Sequence, residues 1–416
     1  MIKFLQKIPF YKLINLGLRL GGMGSKFLIV ILMSKYLTDF DYGNFGLITT
    51  LVTILIYIFG VDFYNYSIRD ILKETETEVD TFNKVANTLL FYVLIYIVTC
   101  PIFYIIFSQV EFSAPYVLLI FLLGITEHFC QETYRLLIAF KKVLLANILL
   151  CIRTVSWVLV LLYKIYSNED ITLDFLFTIW LLANSCIVIF MIIYEAINNY
   201  KNLRFFELKF NWIKQGLNTA LLFFIGTISL KTIEYANRFI IDYFLGKEAT
   251  GIFTFYAQIA ILITIYINTI VISFELPVLI ESSKTKEVIP VYAKFKKSLK
   301  QHIVIVLVGI IVLIKPILIW QNKESFEECL PILALLLLGV GLMNYSLAEH
   351  FKLYIYNRDK KILRILLITN IISIPLTVFF TWLFELYGAA VAFLITGVIL
   401  AYLRKSSAKK INFGYD

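Results

Sequence analysis

Long apolar runs separated by short polar breaks recur along the chain. FLIVILM (27–33), TLLFYVLIYIV (88–98), VLVLLY (158–163) and ALLLLGVGL (334–342) are four of them. A helix needs ~20 predominantly apolar residues to cross the hydrocarbon core. Apolar and polar positions do not alternate with period two here, which excludes a membrane barrel. The pattern predicts twelve helical spans, over 12–36, 45–69, 83–107, 115–140, 142–166, 172–196, 213–242, 250–276, 295–320, 329–354, 362–384 and 387–404. With short loops between them, these spans use up the chain and leave no segment for a sizeable soluble domain.

Composition agrees. The 416 residues are 60% hydrophobic and 16% charged, with a mean hydropathy of +0.82, whereas soluble chains carry about 25% charged residues. The N-terminus lacks an uninterrupted apolar core and a small-residue cleavage site, so it reads as mature sequence. The five cysteines lie mostly inside apolar runs without a CxxC pair, as small buried hydrophobes do.

Charge sets the orientation. With the N-terminus inside, the outer loops hold only Lys35, Lys164, Lys247, Lys315 and Lys323, and every other loop cation falls on the inner side. That bias predicts a multi-pass membrane protein with both termini cytoplasmic. It also accounts for most of the net charge of +9 through contact with anionic membrane lipids, and nucleic acid is not an expected partner. Arg19, Lys26, Arg135, Arg153, Lys231 and Arg238 are left over, inside spans. An ionised group at the bilayer centre costs roughly 2.5–3.5 kcal/mol on insertion scales, so these six need an explanation.

The two halves of the sequence share a register. Shifted by 208, YLTDFDYGNF (36–45) falls on FLGKEATGIF (244–253), matching Leu37 with Leu245, Gly43 with Gly251 and Phe45 with Phe253. This predicts two lobes, 1–208 (helices one to six) and 209–416 (helices seven to twelve). An even number of spans per lobe makes them parallel repeats about an axis along the membrane normal, a transporter arrangement.

MSKYLTDFDYGNFGLITTLVTIL (33–55) resembles the first-loop signature of the polysaccharide-flippase branch of the MOP exporter superfamily. FLGKEATGIFTFYAQIAIL (244–262) is similar to its partner before helix eight, and LYGAAVAFLITGVILAYL (386–403) to the small-residue last helix of such proteins. The branch comprises Wzx-like translocases of O-antigen and capsule units, in lipopolysaccharide and other polysaccharide biosynthesis. The resemblance implies an all-α, MATE-like membrane protein. Its two parallel six-helix lobes would surround a central cavity and work by alternating access. The cargo would be a polyprenyl-(pyro)phosphate-linked oligosaccharide carried from the cytoplasmic to the outer leaflet, with other polysaccharide-assembly proteins as partners.

The buried charges fit such cargo. At ~100° per residue, Thr227, Lys231, Glu234, Tyr235, Arg238 and Asp242 fall on one side of the seventh helix, and Asn15, Arg19, Gly22 and Lys26 share a face of the first. Arg19, Lys26, Arg153, Lys231 and Arg238 are the candidate substrate ligands, since Arg offers phosphate a fork of donors and Lys a point charge. The competing reading makes Glu234–Arg238 and Arg238–Asp242 ion pairs that hold helices together. In EHFCQETYR (127–135), Glu127 and Glu132 are candidates for H+ or Na+ coupling, or for ion pairs with Arg153 and Arg135; Glu234 and Asp242 carry the same two readings. No metal site or cofactor is expected, because His128 and Glu132 lack converging partners. Gly17 and Gly21 form a GxxxG read as helix packing. Glu275, Glu349 and His350 fall near inner helix ends, where solvation is expected.

Two other classes compete. A membrane-embedded polysaccharide polymerase would carry its catalytic groups in a substantial outer loop, but the outer loops are short and hold no hydrolase, zincin, Walker or dinucleotide motif. The expectation is that the protein is not an enzyme. An ion-coupled multidrug exporter of cations would favour acidic cavity residues, whereas helices one and seven supply Arg19, Lys26, Lys231 and Arg238 against Glu234 and Asp242.

Overall fold

The computed structural model describes residues 10–73, 77–107, 114–199, 201–283, 285, 287–409 and 411. Each predicted span is met by helix. In the first half these are α1 (Phe10–Tyr36), α2 (Asp39–Gly60), the short α3 (Tyr64–Ile71), α4 (Glu78–Phe107), α5 (Ala114–Ala139), α6 (Val143–Tyr166) and α7 (Leu173–Asn199). The second half begins with α8 (Phe210–Ala260) and α9 (Leu262–Tyr266), a π-helical turn (Ile267–Ile272) and α10 (Ser273–Ser282). It continues with α11 (Val288–Gln321), α12 (Glu324–Glu328), α13 (Leu330–Tyr345), α14 (Leu347–Ile355) and α15 (Asp359–Lys409).

Among the described residues, nine stretches are long and apolar enough to cross a membrane. Two of them hold more than one crossing. At 1.5 Å per residue the 51 residues of α8 and of α15 would each run for roughly 75 Å, against a hydrocarbon core of ~30 Å. The helical path breaks at Gly246 (φ 83°, ψ −175°) in α8, and at Phe384 and Glu385 (φ 52°) in α15. Helix α5, with its polar EHFCQETYR segment, lies outside the nine, and counting it restores the twelve. The fold is all-α with no strand among the described residues. Pro101, Pro277, Pro316 and Pro375 sit inside helices, but the non-helical dihedrals found within α8 and α15 fall elsewhere.

Local chemistry explains the helix starts. Thr38 Oγ1 accepts the Asp41 N–H (3.0 Å) and donates to the Asp41 carboxylate (2.8 Å), a reciprocal cap at the head of α2. Thr77 and Asp80 repeat it at α4, at 3.1 and 2.8 Å. Large apolar side chains remain exposed along spans, as on α11 at Val304, Ile305, Val308, Ile311 and Val312, which suits a helix facing lipid.

The chain divides into two compact units. Unit 1 comprises Met1–Leu32 and Ile48–Phe224. Within it α5 is central, packing against α4, α6 and α7, so the span that carries EHFCQETYR is the one its neighbours surround. Two asparagines one helical turn apart hold the segment leading to the second half. Asn83 donates to the Phe205 carbonyl (3.0 Å) and accepts the Glu207 N–H (2.8 Å); Asn87 does the same with the Glu207 carbonyl (2.8 Å) and the Lys209 N–H (2.9 Å). Outside the spans, Asp70 anchors α3. Burial raises its carboxyl, but hydrogen bonds from Lys73, Lys84 and Trp212 outweigh that effect and hold it at about 2. Gly17 and Gly21 have no neighbour within 4 Å of where a Cβ would sit, so the expected GxxxG packing is absent among the described residues.

Unit 2 comprises Met33–Leu47 and Ile225–Asp416, so the corner between α1 and α2 belongs with the second half. Here the register match becomes a contact. A Cβ on Gly43 would overlap the Lys247 carbonyl, and one on Gly251 would lie 2.7 Å from the Asp39 carbonyl. Position 39 is the 208-shift counterpart of 247, as 43 is of 251, so each glycine meets the partner's equivalent carbonyl. Reciprocity of this kind is what a two-fold relation produces. Lys323 adds a hydrogen bond to the Leu37 carbonyl and an ion pair with Asp39, both at 2.7 Å. Helix α13 packs along α15, where a Cβ on Gly397 would stand 2.9 Å from the Gly339 carbonyl.

Gly43→Ala and Gly251→Ala are each expected to lower stability by about 1–3 kcal/mol, because backbone rather than a movable side chain fills the space. Gly226→Ala, whose nearest neighbour would be 3.6 Å away, is the control. Thermal unfolding of the detergent-purified protein measures this; equal midpoints in all three variants would show that the close approach is not made.

Candidate functional site

In unit 1 the charged groups of α5 separate into two networks. Glu127 faces α6 and α7. Its Oε2 accepts Arg153 Nη1 at 2.9 Å and Asn184 Nδ2 at 2.8 Å, and Glu127 and Arg153 are both buried. Lys26 is exposed yet interacts electrostatically with both Glu127 and Arg153, so two cations share one carboxylate. Arg19 is half-buried and makes no ion pair among the described residues.

The second network faces α4. Glu132 is ion-paired with Arg135 and accepts a 2.9 Å hydrogen bond from Tyr92, and the Arg135 guanidinium lies 3.8 Å over the Tyr64 ring. His128 is fully buried, hydrogen-bonded through Nδ1 to Tyr96 (2.6 Å), with Nε2 3.9 Å from Glu132. No cluster of metal-ligating side chains occurs among the described residues.

In unit 2 the seventh span pairs differently from the expected ladder. Glu234 turns back to Lys231 (2.7 Å) rather than forward to Arg238. Asp242 pairs with Lys247 (2.6 Å). Five residues apart, those two would not share a helix face; the break at Gly246 brings Lys247 back alongside. Arg238, only 2% exposed, has neutral hydrogen-bond partners: its Nη1 donates to the Glu234 backbone carbonyl (3.0 Å) and reaches Asn237 Oδ1 (3.4 Å), while the Glu234 carboxylate acts on it electrostatically without a hydrogen bond. The Tyr235 ring lies 5.0 Å from the guanidinium, a cation–π contact. The buried Nε of Arg238 has no acceptor among the described residues.

Lys231, Glu234 and Arg238 line a cavity of about 200 Å³ inside unit 2. A fourth charged wall residue is Arg404, 4% exposed, whose Nη1 donates to the Met343 carbonyl (3.1 Å) and to Ser346 Oγ (2.8 Å). Asn237, Asn268 and Asn344 supply neutral polar groups, and Asn268 lies on the π-helical turn, a distortion frequent at functional sites. The sequence reading assigned Arg404 to the inner loop, because it ended the last span there. The helix instead runs to Lys409. The buried stripe Ala389, Phe393, Thr396, Leu400, Arg404 and Ala408 keeps helical spacing through the arginine, and extending that stripe would have found it. Glu349, expected in solvent, is 6% exposed and ion-paired with Lys296; Glu275 is half-buried and accepts a 2.6 Å bond from Ser298.

These helices have the fold of the MOP exporter superfamily. Similar solved structures include "Lipid II flippase MurJ, inward closed conformation", 14% identical, covering 97% of this chain and 88% of that one with a TM-score of 0.66. An outward-facing multidrug resistance MATE family transporter of the superfamily is 14% identical over 95% of each chain (TM-score 0.62). MATE in the straight conformation is 15% identical over 95% of each chain (TM-score 0.61). No curated protein matches the sequence. The polysaccharide biosynthesis protein family matches residues 13–283, and the chain belongs to that family, a flippase family of the MOP superfamily. It is a multi-pass membrane protein.

Glu127→Gln is expected to destabilise unit 1 by about 3–5 kcal/mol, because it leaves the buried Arg153 without its counter-charge. The pair Glu127→Gln with Arg153→Met should recover much of the loss. Unfolding midpoints of the single and double variants decide this; a double variant as weak as the single would mean the pair is not coupled.

Proposed function

We propose that the protein flips a polyprenyl-(pyro)phosphate-linked oligosaccharide from the cytoplasmic to the outer leaflet of the bacterial inner membrane by alternating access, with both termini cytoplasmic. The observation that carries this reading is Arg238: a guanidinium buried in a membrane span, with neutral hydrogen-bond partners and an Nε that no acceptor among the described residues meets. Its neighbouring carboxylate, Glu234, is shared with Lys231, so the buried charge is incompletely compensated, and a ligand that brings further negative charge recovers the cost. Phosphate does so, and a lipid-linked sugar carries it together with hydroxyls that hydrocarbon cannot solvate. Arg19, Lys26, Arg153, Lys231 and Arg238 are the substrate ligands in this reading. Arg153 takes part through Lys26, which leaves the Glu127 site with a surplus positive charge.

The same observation weighs against export of cationic drugs. The unit 2 cavity is lined by Lys231, Arg238 and Arg404 against one carboxylate, Glu234, an environment that repels cations. Glu127, Glu132, Glu234 and Asp242, the candidates for H+ or Na+ coupling, each have a cationic partner. We therefore assign the driving force to the membrane potential, which favours moving an anion outward by about 2.3 kcal/mol per charge per 100 mV. Membrane lipids and other polysaccharide-assembly proteins are the partners this role requires.

Arg238→Gln, Lys231→Gln and Lys26→Gln should each cut surface polysaccharide at least about tenfold at unchanged protein level, the scale of one lost charge-assisted contact. Quantifying cell-surface glycan beside membrane protein abundance tests this, and normal glycan in all three variants would reject the function. Collapsing the potential while keeping the pH gradient should slow export; an unchanged rate would remove the potential as driving force.

A further inference from the structure

The unit 2 cavity is small, enclosed by helices of one unit and unbalanced in charge. Its volume of about 200 Å³ leaves room for a phosphate or diphosphate. Three cations and one carboxylate line it. That carboxylate, Glu234, is already engaged by Lys231 at 2.7 Å. Glu234 and a further acid, Glu349, both interact electrostatically with Arg404, and Glu349 is itself ion-paired with Lys296. Two polar atoms of the lining residues, Arg238 Nε and Asn344 Oδ1, are buried and lack hydrogen-bond partners among the described residues. Apolar packing alone does not account for such a wall, since Lys231 and Arg238 of α8 and Arg404 of α15, far away in sequence, meet around one space.

We propose that this cavity is a binding site for a phosphate-class oxyanion, with Arg404 joining Lys231 and Arg238 as its cationic ligands. Arg404 is held in advance: its Nη1 is fixed by the Met343 carbonyl and Ser346 Oγ, so little order remains to be gained when an anion arrives. Arg238 is likewise fixed through Nη1 while its Nε lacks an acceptor among the described residues. The site takes the charged group. Where that group belongs to a lipid-linked sugar, the assignment rests on the flippase reading. Where it is free inorganic phosphate or diphosphate, the site stands without that reading.

The test uses the full-length protein and has two arms. In detergent, inorganic diphosphate is titrated while the unfolding midpoint is followed; in nanodiscs, polyprenyl diphosphate is compared with phosphatidylcholine alone. A saturable rise in midpoint is expected in at least one arm. A response confined to the first arm identifies a free anion, and one confined to the second a lipid headgroup. Arg404→Gln should weaken apparent binding at least about tenfold, Arg404→Lys less, and the exposed Lys315→Gln not at all. If Arg404→Gln fails to fold, Asn344→Asp replaces it: nearly isosteric, it adds a negative charge to the wall and should abolish binding. No saturable response in either arm, or binding undiminished in whichever of the two variants folds, would overturn the site. Binding through Arg404 together with normal surface polysaccharide in Arg404→Gln would instead keep the site and reject the flippase reading.

Discussion

A buried guanidinium whose hydrogen bonds go to neutral groups, and whose neighbouring carboxylate Glu234 is ion-paired to another cation, is the constraint from which the rest follows. Arg238 is 2% exposed, and its recorded hydrogen bonds go to a backbone carbonyl and an amide oxygen. In water such a group is cheap; among apolar helices its desolvation is repaid only by an opposite charge at close range. Nearby acids could have supplied one, but Glu234 is engaged by Lys231 and Asp242 by Lys247. Unit 1 solves the same problem the opposite way: Arg153 has Glu127 at 2.9 Å, and Asn184 completes the carboxylate's bonding. Two halves of one plan thus treat buried arginine differently, one sealing it into structure and the other leaving it facing a cavity.

The repeat that organises those halves is visible as packing. Gly43 and Gly251 each take up the space where a side chain would meet the other segment's backbone carbonyl, at Lys247 and Asp39. Only glycine permits backbones to approach so closely, which explains why these positions match across the two halves when most others do not. The corner built this way lies within unit 2 together with the Lys323–Asp39 ion pair, so the compact units do not follow the chain's midpoint.

Much of the fold was legible because hydrophobic runs of membrane length have few alternatives: lipid offers the backbone no hydrogen bonds, so the runs become helices. The breaks at Gly246 and at Phe384–Glu385 sit in the loops read between spans seven and eight and between eleven and twelve. The site was only partly legible. Helical spacing placed Lys231 and Arg238 on one face, but spacing does not tell which rotamer a carboxylate adopts, so Glu234 was paired with the wrong cation. Arg404 was lost for a different reason. A basic residue near a span's inner end ordinarily snorkels to the surface, and only the packing of α13 against α15 shows that this one is covered. The Asn83 and Asn87 clamp on the 205–209 segment depends on contacts more than a hundred residues apart in sequence, which periodicity does not encode.

The central claim is that Arg238, whose neighbouring carboxylate Glu234 is ion-paired to Lys231, takes an anion from outside the chain. A cryo-EM map of the nanodisc-reconstituted protein with and without inorganic diphosphate tests it most directly. The account predicts added density in the unit 2 cavity within hydrogen-bond distance of Arg238 Nε and the Arg404 guanidinium. A cavity unchanged by diphosphate, with Arg238 drawn onto a carboxylate of the protein, would contradict it.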